Sequence, residues 1–149
     1  AVNWEITTYF QKIKPYDNPK TNVGWTHMDD NTILAGLIYL TPDAGLDSGT
    51  SLLSIKKGER ASPDYKIKCN FYKNKTADID QYIQSLEEHN NKFIETTRFN
   101  NVYNTLVAYP GETYHRANNF DCGQGERLTQ VFFVNRIHTV ATPIERSTV

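Results

Sequence analysis

At 149 residues the chain is long enough to bury a sizeable single core, and 38% hydrophobic with 22% charged residues is the balance of a soluble globular protein. A formal net charge of −1 gives no overall pull toward nucleic acid or an anionic membrane, and no apolar run approaches the roughly 20 residues that span a bilayer. Cys69 and Cys122, far apart and without a CxxC, weigh against a disulfide framework or a structural zinc site and for a reducing, cytoplasmic compartment.

Ala1-Val2-Asn3-Trp4 has neither an initiator Met nor a signal-peptide pattern and reads as a trimmed chain or a domain cut from a longer one. Trp4 to Ile13 is rich in β-branched and aromatic residues, which predicts a strand. Pro15 to Gly24 is a loop by composition. Thr32 to Leu40 is a nearly continuous apolar run suited to a strand covered on both faces, broken by Thr41-Pro42-Asp43-Ala44-Gly45. Gly49 to Ile55 resumes as a strand. Lys56 to Lys75 follows with seven basic residues against Glu59 and Asp64, a net +5 that leaves −6 for the remainder. That stretch reads as a solvated loop or as a rim that attracts an acidic or extended substrate.

One helix is predicted around residues 77–94, where Ile79, Tyr82, Ile83, Leu86, Phe93 and Ile94 keep nearly helical spacing. Asp78 followed by Gln81 resembles a capping box, and His89 is expected on the helix surface. Leu106 to Tyr109 is a brief strand stopped by Pro110-Gly111. Leu128 to Val134 is the last strong strand, with a weaker extension through His138 to Val140. Many short strands around one helix argue for a sandwich or open barrel, in one domain over residues 1–149.

The polar residues carry the chemistry. Residues two apart on a strand point to one face, so His27 and Asp29 can aim at one point with Met28 turned away. Imidazole and carboxylate together suit Fe(II). Asp30 is adjacent and spacing alone does not exclude it, although the two-residue period favours Asp29. His115 follows a Pro-Gly turn on a short strand, which places it at a barrel mouth. Arg127 lies beyond a turn region, Asn118 to Gly125, and an antiparallel return would set it in the same sheet, one strand from His115. Its guanidinium offers a bidentate fork to a carboxylate, and Thr129 on the same face adds a hydroxyl. The bland alternative is an Arg127 paired with Glu126 or Asp121 at the surface.

Together these residues resemble the Fe(II)/2-oxoglutarate-dependent oxygenase superfamily, and within it the prolyl-4-hydroxylase-like enzymes. The resemblance runs from about Val23 to Phe133 in two blocks. The first is Gly24-Trp25-Thr26-His27-Met28-Asp29 through Tyr39-Leu40-Thr41 to Ser48-Gly49-Thr50. The second is Tyr109-Pro110-Gly111 through His115 to Arg127-Leu128-Thr129. It implies a mainly β, double-stranded β-helix (jelly roll, cupin-like) with the helix around 77–94 inserted. It further implies Fe(II) held by His27, Asp29 and His115, with 2-oxoglutarate on Arg127 and Tyr39, and O2 as oxidant. The implied activity is a dioxygenase (hydroxylase) acting on a C–H bond of a small-molecule amino acid or a peptidyl side chain. Nucleic acid ranks low, because the second arginine of nucleobase-repair relatives has no close counterpart; Arg136 is nine residues on. Two other readings stand beside it. One is a non-catalytic jelly-roll binding module that uses Tyr65, Phe71 and Tyr72; the other is a cupin-like metalloprotein that does not use 2-oxoglutarate. Arg127 separates them: it faces the metal cavity in the first case and solvent in the others.

Overall fold

The computed structural model describes residues 2–139, which form two antiparallel sheets. The four-stranded sheet is ordered β1 (Val2–Ile13), β7 (Arg127–Thr139), β2 (Leu34–Tyr39), β5 (Leu106–Pro110). The three-stranded sheet is ordered β4 (Phe93–Phe99), β3 (Thr50–Ile55), β6 (Tyr114–Ala117). Among the described residues neither sheet closes into a barrel, and no helix is long and apolar enough to cross a membrane. The end of the expected C-terminal extension, Val140, lies outside the described residues.

The main core lies between the sheets. Alternate residues of β2 (Ala35, Leu37, Tyr39) pack with Val107, Tyr109 and Val131, and Leu52 and Phe99 of the facing sheet close over them. Period-two alternation explains this directly: each strand offers every second side chain to the space between the sheets. Gly49, before β3, sits where a Cβ would come within 1.9 Å of the Phe99 carbonyl oxygen, so only glycine lets β3 start beside β4.

The segment between β3 and β4 differs from the sequence expectation. Basic residues 56–75 are not one solvated loop. They include a short helix, α1 (Tyr65–Cys69), capped by Asp64, whose Oδ1 accepts from Ile67 N at 3.0 Å. A wider helical turn, Asn70–Asn74, continues it and ends at Lys75 with φ 57°. The second helix, α2, spans Ile79–Asn90 and is capped as expected by Asp78, which accepts from Gln81 N at 3.1 Å. It is shorter than the predicted 77–94, because Phe93 and Ile94 belong to β4 and pair with Ile55 and Ser54. Apolar spacing alone does not mark that switch of period.

An aromatic cluster ties these helices to the start of the site. Phe71 stacks on Tyr82 with ring centroids 3.8 Å apart, and Trp25 Nε1 donates to Tyr82 Oη at 3.1 Å. Phe71 and Tyr72 are thus packing residues, whereas Tyr65 is exposed. His89, expected at the surface, is buried between the rings of Trp25 and Phe93, and its Nε2–H donates to Thr26 O at 2.8 Å. Its neighbour Asn90 accepts from Thr26 N and Thr26 Oγ1, both at 2.9 Å, and donates to Gly24 O at 3.0 Å. The last turn of α2 therefore fixes the backbone just ahead of His27.

Among the described residues His89 Nδ1 makes no hydrogen bond within normal geometry, and burial holds the ring's pKa below its usual value, the Thr26 hydrogen bond and the nearby Ser62 backbone opposing only in part. The unfolded chain therefore takes up this proton first. Stability should be full above the unfolded pKa of about 6.5 and fall as pH drops below it, by up to about 1.4 kcal/mol per pH unit per proton. We expect urea midpoints to fall between pH 7 and pH 5.5, and less steeply in His89→Gln. Equal slopes in parent and variant would contradict this origin.

Candidate metal centre

His27 and His115 form one isolated antiparallel bridge: His27 N donates to His115 O at 3.1 Å, and His115 N to His27 O at 2.9 Å. Directly opposed residues send their side chains to the same face, and here the rings lie 4.4 Å apart. Each Nδ1–H is used locally, His27 donating to Trp25 O at 2.8 Å and His115 to Thr113 O at 2.9 Å. That pattern leaves both Nε2 lone pairs free, the arrangement a metal-binding histidine needs.

Asp29 joins them through the turn after β5. Its N–H donates to Gly111 O at 3.0 Å, which sets the carboxylate against both rings. Asp29 Oδ1 stands 3.8 Å from His27 Nε2, and Oδ2 stands 3.5 Å from His115 Nε2. The three donor atoms all lie within 4.8 Å of one another. Donors each about 2.1 Å from a shared ion would sit about 3 Å apart, so a small side-chain rotation suffices to close the set. Asp29 occupies this position and the exposed Asp30 does not.

The electrostatics favour the neutral, ligating form of the two histidines. Desolvation lowers the pKa of both histidines; for His27 the charge His115 would carry adds to it, and the backbone carbonyl hydrogen bonds oppose it. Solvent tempers the effect at His27, whose side chain is 45% exposed, more than at His115. Burial raises Asp29 and the nearby His27 opposes that rise. Neutral imidazoles are the species that bind a cation without first losing a proton.

The triad opens into a cavity of about 520 Å³, the size of a small-molecule site, walled by Trp25, Tyr109, Thr50 and Arg127 among others. Arg127 is the first residue of β7 and is 2% exposed. Its Nε donates to Ser48 O at 2.9 Å, yet no carboxylate of the described residues lies within 4.0 Å of it. The surface pairing with Glu126 or Asp121 does not occur. Glu126 pairs with Lys12 and Lys14, and Asp121 closes its own turn by accepting from Gly123 N at 2.9 Å.

Arg127 and His115 do not share a sheet, contrary to the sequence expectation. His115 is in β6 of the three-stranded sheet and Arg127 in β7 of the four-stranded one, and both line the cavity between. The connecting segment makes no tight hairpin because Phe120 and Cys122 are buried, with Phe120 N donating to Asn22 O and Gly45 N to Cys122 O. That anchoring carries the chain across from one sheet to the other.

Tyr39 and Thr129 are paired in register between β2 and β7, and both are 0% exposed. Tyr39 is seated with its ring centroid 5.7 Å from the Arg127 guanidinium carbon. Arg127 Nη2, Tyr39 Oη and Thr129 Oγ1 are three of the seven buried side-chain polar atoms without a hydrogen-bond partner among the described residues. Burial raises the pKa of the Tyr39 phenol, and the nearby Thr50 and the Arg127 charge oppose that rise. Arg127 reaches the cavity wall, whereas Tyr39 and Thr129 are not among the residues that line it; an orphaned hydroxyl beside a buried cation has the chemistry to receive a carboxylate. Two further residues belong to the site: Tyr109, whose ring packs 4.7 Å from His115, and Lys68, the one cation of the basic 56–75 stretch that lines the cavity. Lys68 lay in a segment without a periodic pattern to place it.

No protein-family model matches the chain, and no curated protein matches it.

A structural ion pair and a waiting receptor respond differently to loss of the guanidinium. Breaking a buried pair costs about 3–5 kcal/mol, whereas replacing an uncompensated charge by an apolar side chain is neutral or stabilising. We expect Arg127→Met to leave the ligand-free protein as stable as the parent or more so by chemical denaturation. A loss of several kcal/mol would show that the guanidinium is part of the scaffold.

Proposed function

We propose that this chain is a non-haem Fe(II)- and 2-oxoglutarate-dependent dioxygenase that hydroxylates a C–H bond of an amino-acid or peptidyl side chain. One observation carries the reading. A two-histidine, one-carboxylate cluster shares a cavity with a buried guanidinium that has no carboxylate partner among the described residues, and the Tyr39 and Thr129 hydroxyls, on residues paired in register, lack hydrogen-bond partners there too. Bound at such a triad, Fe(II) with 2-oxoglutarate and O2 supplies the oxidising power: one oxygen atom goes to the substrate C–H bond and the other to succinate, with release of CO2.

The chain's own groups bind, orient and shield. His27 and His115 act as neutral nitrogen donors, and Asp29 offsets part of the ion's charge. Arg127 takes the distal carboxylate of the keto acid, with charge-assisted hydrogen bonds worth about 1.5–3 kcal/mol. Tyr39 Oη and Thr129 Oγ1 complete its shell and gain the partners they otherwise lack. Because Arg127 is buried and lines the cavity, this reading is favoured over a binding module in which it faces solvent.

Strand order supports a double-stranded β-helix. Counting the His27 bridge as a short strand beside β6 gives eight strands in two four-stranded layers. Chain order then crosses between layers at every step except the one from β3 to β4, as in a jelly roll of two Greek keys. The α1–α2 segment is inserted at that one step.

Anaerobic addition of Fe(II) and 2-oxoglutarate should produce a weak metal-to-ligand absorption band in the visible, absent from His115→Ala. Arg127→Met should weaken 2-oxoglutarate binding at least about tenfold, or 1.4 kcal/mol, with metal affinity largely intact. Asp29→Ala should lower metal affinity and Asp30→Ala should not. No band with no thermal shift by either ligand, or equal co-substrate affinity in parent and Arg127→Met, would reject the proposal.

A further inference from the structure

We infer that the substrate of this site is a small free acid whose carboxylate is held by Lys68, an inference that rests on the oxygenase reading above. Of the seven basic residues in the 56–75 segment, Lys68 alone lines the cavity that holds the triad and Arg127. It projects from α1 and is half-buried, and among the described residues its ammonium has neither a carboxylate within 4.0 Å nor a hydrogen-bond partner. Burial holds its pKa below the usual lysine value, as for a cation short of both water and counter-charge.

Charge balance points the same way. Among the described residues the cavity wall contributes two cations without an ion pair, Arg127 and Lys68, against one carboxylate, Asp29. Lys12 also lines it but is ion-paired with Glu126, which it shares with Lys14. A divalent ion adds two positive charges and the keto-acid dianion removes two, so one positive charge remains uncompensated. Arg127 is committed to the co-substrate, which leaves Lys68 to receive the substrate.

The walls near Lys68 define the rest of the molecule. Tyr16, Trp25, Tyr72 and Phe120 line the same cavity and offer aromatic surface to an apolar body. The co-substrate shares the 520 Å³, which leaves room inside for a small molecule or a single side chain. An interior peptidyl residue, however, has no backbone carboxylate for Lys68 to bind.

Zn(II)-loaded protein saturated with 2-oxoglutarate, which cannot turn over, separates binding from catalysis. Titration calorimetry with hexanoate and 3-phenylpropionate, each against its primary amide, reads the carboxylate directly. We expect the acids to bind at least about tenfold more tightly than the amides. That preference should vanish in Lys68→Met, persist in Lys68→Arg, and leave 2-oxoglutarate affinity in Lys68→Met within about twofold of the parent. No binding by either acid, equal binding of acid and amide, or a preference that survives Lys68→Met would overturn the inference. So would a Lys68→Met that weakens 2-oxoglutarate as strongly as Arg127→Met, because the keto acid would then occupy Lys68. The visible Fe(II) band is independent of this titration: its absence with acid selectivity intact sinks the oxygenase alone, and the converse sinks the acid site alone.

Discussion

A guanidinium held almost entirely out of water, without a carboxylate partner among the described residues, is the constraint around which the structure is arranged. Taking such an ion from water costs several kcal/mol, and one hydrogen bond to Ser48 O does not offset that. The cost persists because Arg127 opens β7, whose neighbours β1 and β2 pin it from both sides through register pairs such as Ile13–Arg127 and Tyr39–Thr129. The fold could place an apolar residue there and be no less stable. Its retention beside two unsatisfied hydroxyls makes sense as preorganisation, with the polar shell of an anion built before the anion arrives.

The opposite wall is built with equal economy of backbone. A single bridge aligns His27 with His115, each ring is locked by a carbonyl two residues earlier, and the turn at Gly111 brings Asp29 to both. None of these ligands depends on a long strand. What holds the His27 segment in place is the last turn of α2, through His89 and Asn90 on Gly24 and Thr26. The inserted helices thus do two things at once. Their aromatic cluster stiffens the metal side of the cavity, and α1 brings one lysine of a basic segment inward.

Much of the candidate site could be read from local sequence because its rules are local. The two-residue period puts His27 with Asp29 and Arg127 with Thr129, and a Pro-Gly turn ahead of a short strand points to His115. What could not be read depended on long-range packing. The burial of Phe120 and Cys122 carries the chain across the cavity, so His115 and Arg127 face each other from different sheets. The burial of His89 follows from Trp25 and Phe93 closing over it, contacts that helical spacing does not encode. Phe93 and Ile94 fit a helical pattern yet join β4, because pairing with β3 outweighs propensity at a helix end. Lys68 lay within a charge run whose ordinary fate is solvent, and only the aromatic cluster under α1 turns it inward.

The central claim is that the buried cation is a receptor for the keto acid and the triad a receptor for the metal. A crystal structure of the chain with Mn(II) and 2-oxoglutarate tests it most directly. The account requires the ion within coordinating distance of His27 Nε2, Asp29 and His115 Nε2, with the distal carboxylate on Arg127 Nη2, Tyr39 Oη and Thr129 Oγ1. A keto acid bound elsewhere in the cavity, with those three atoms still unpartnered, would contradict it.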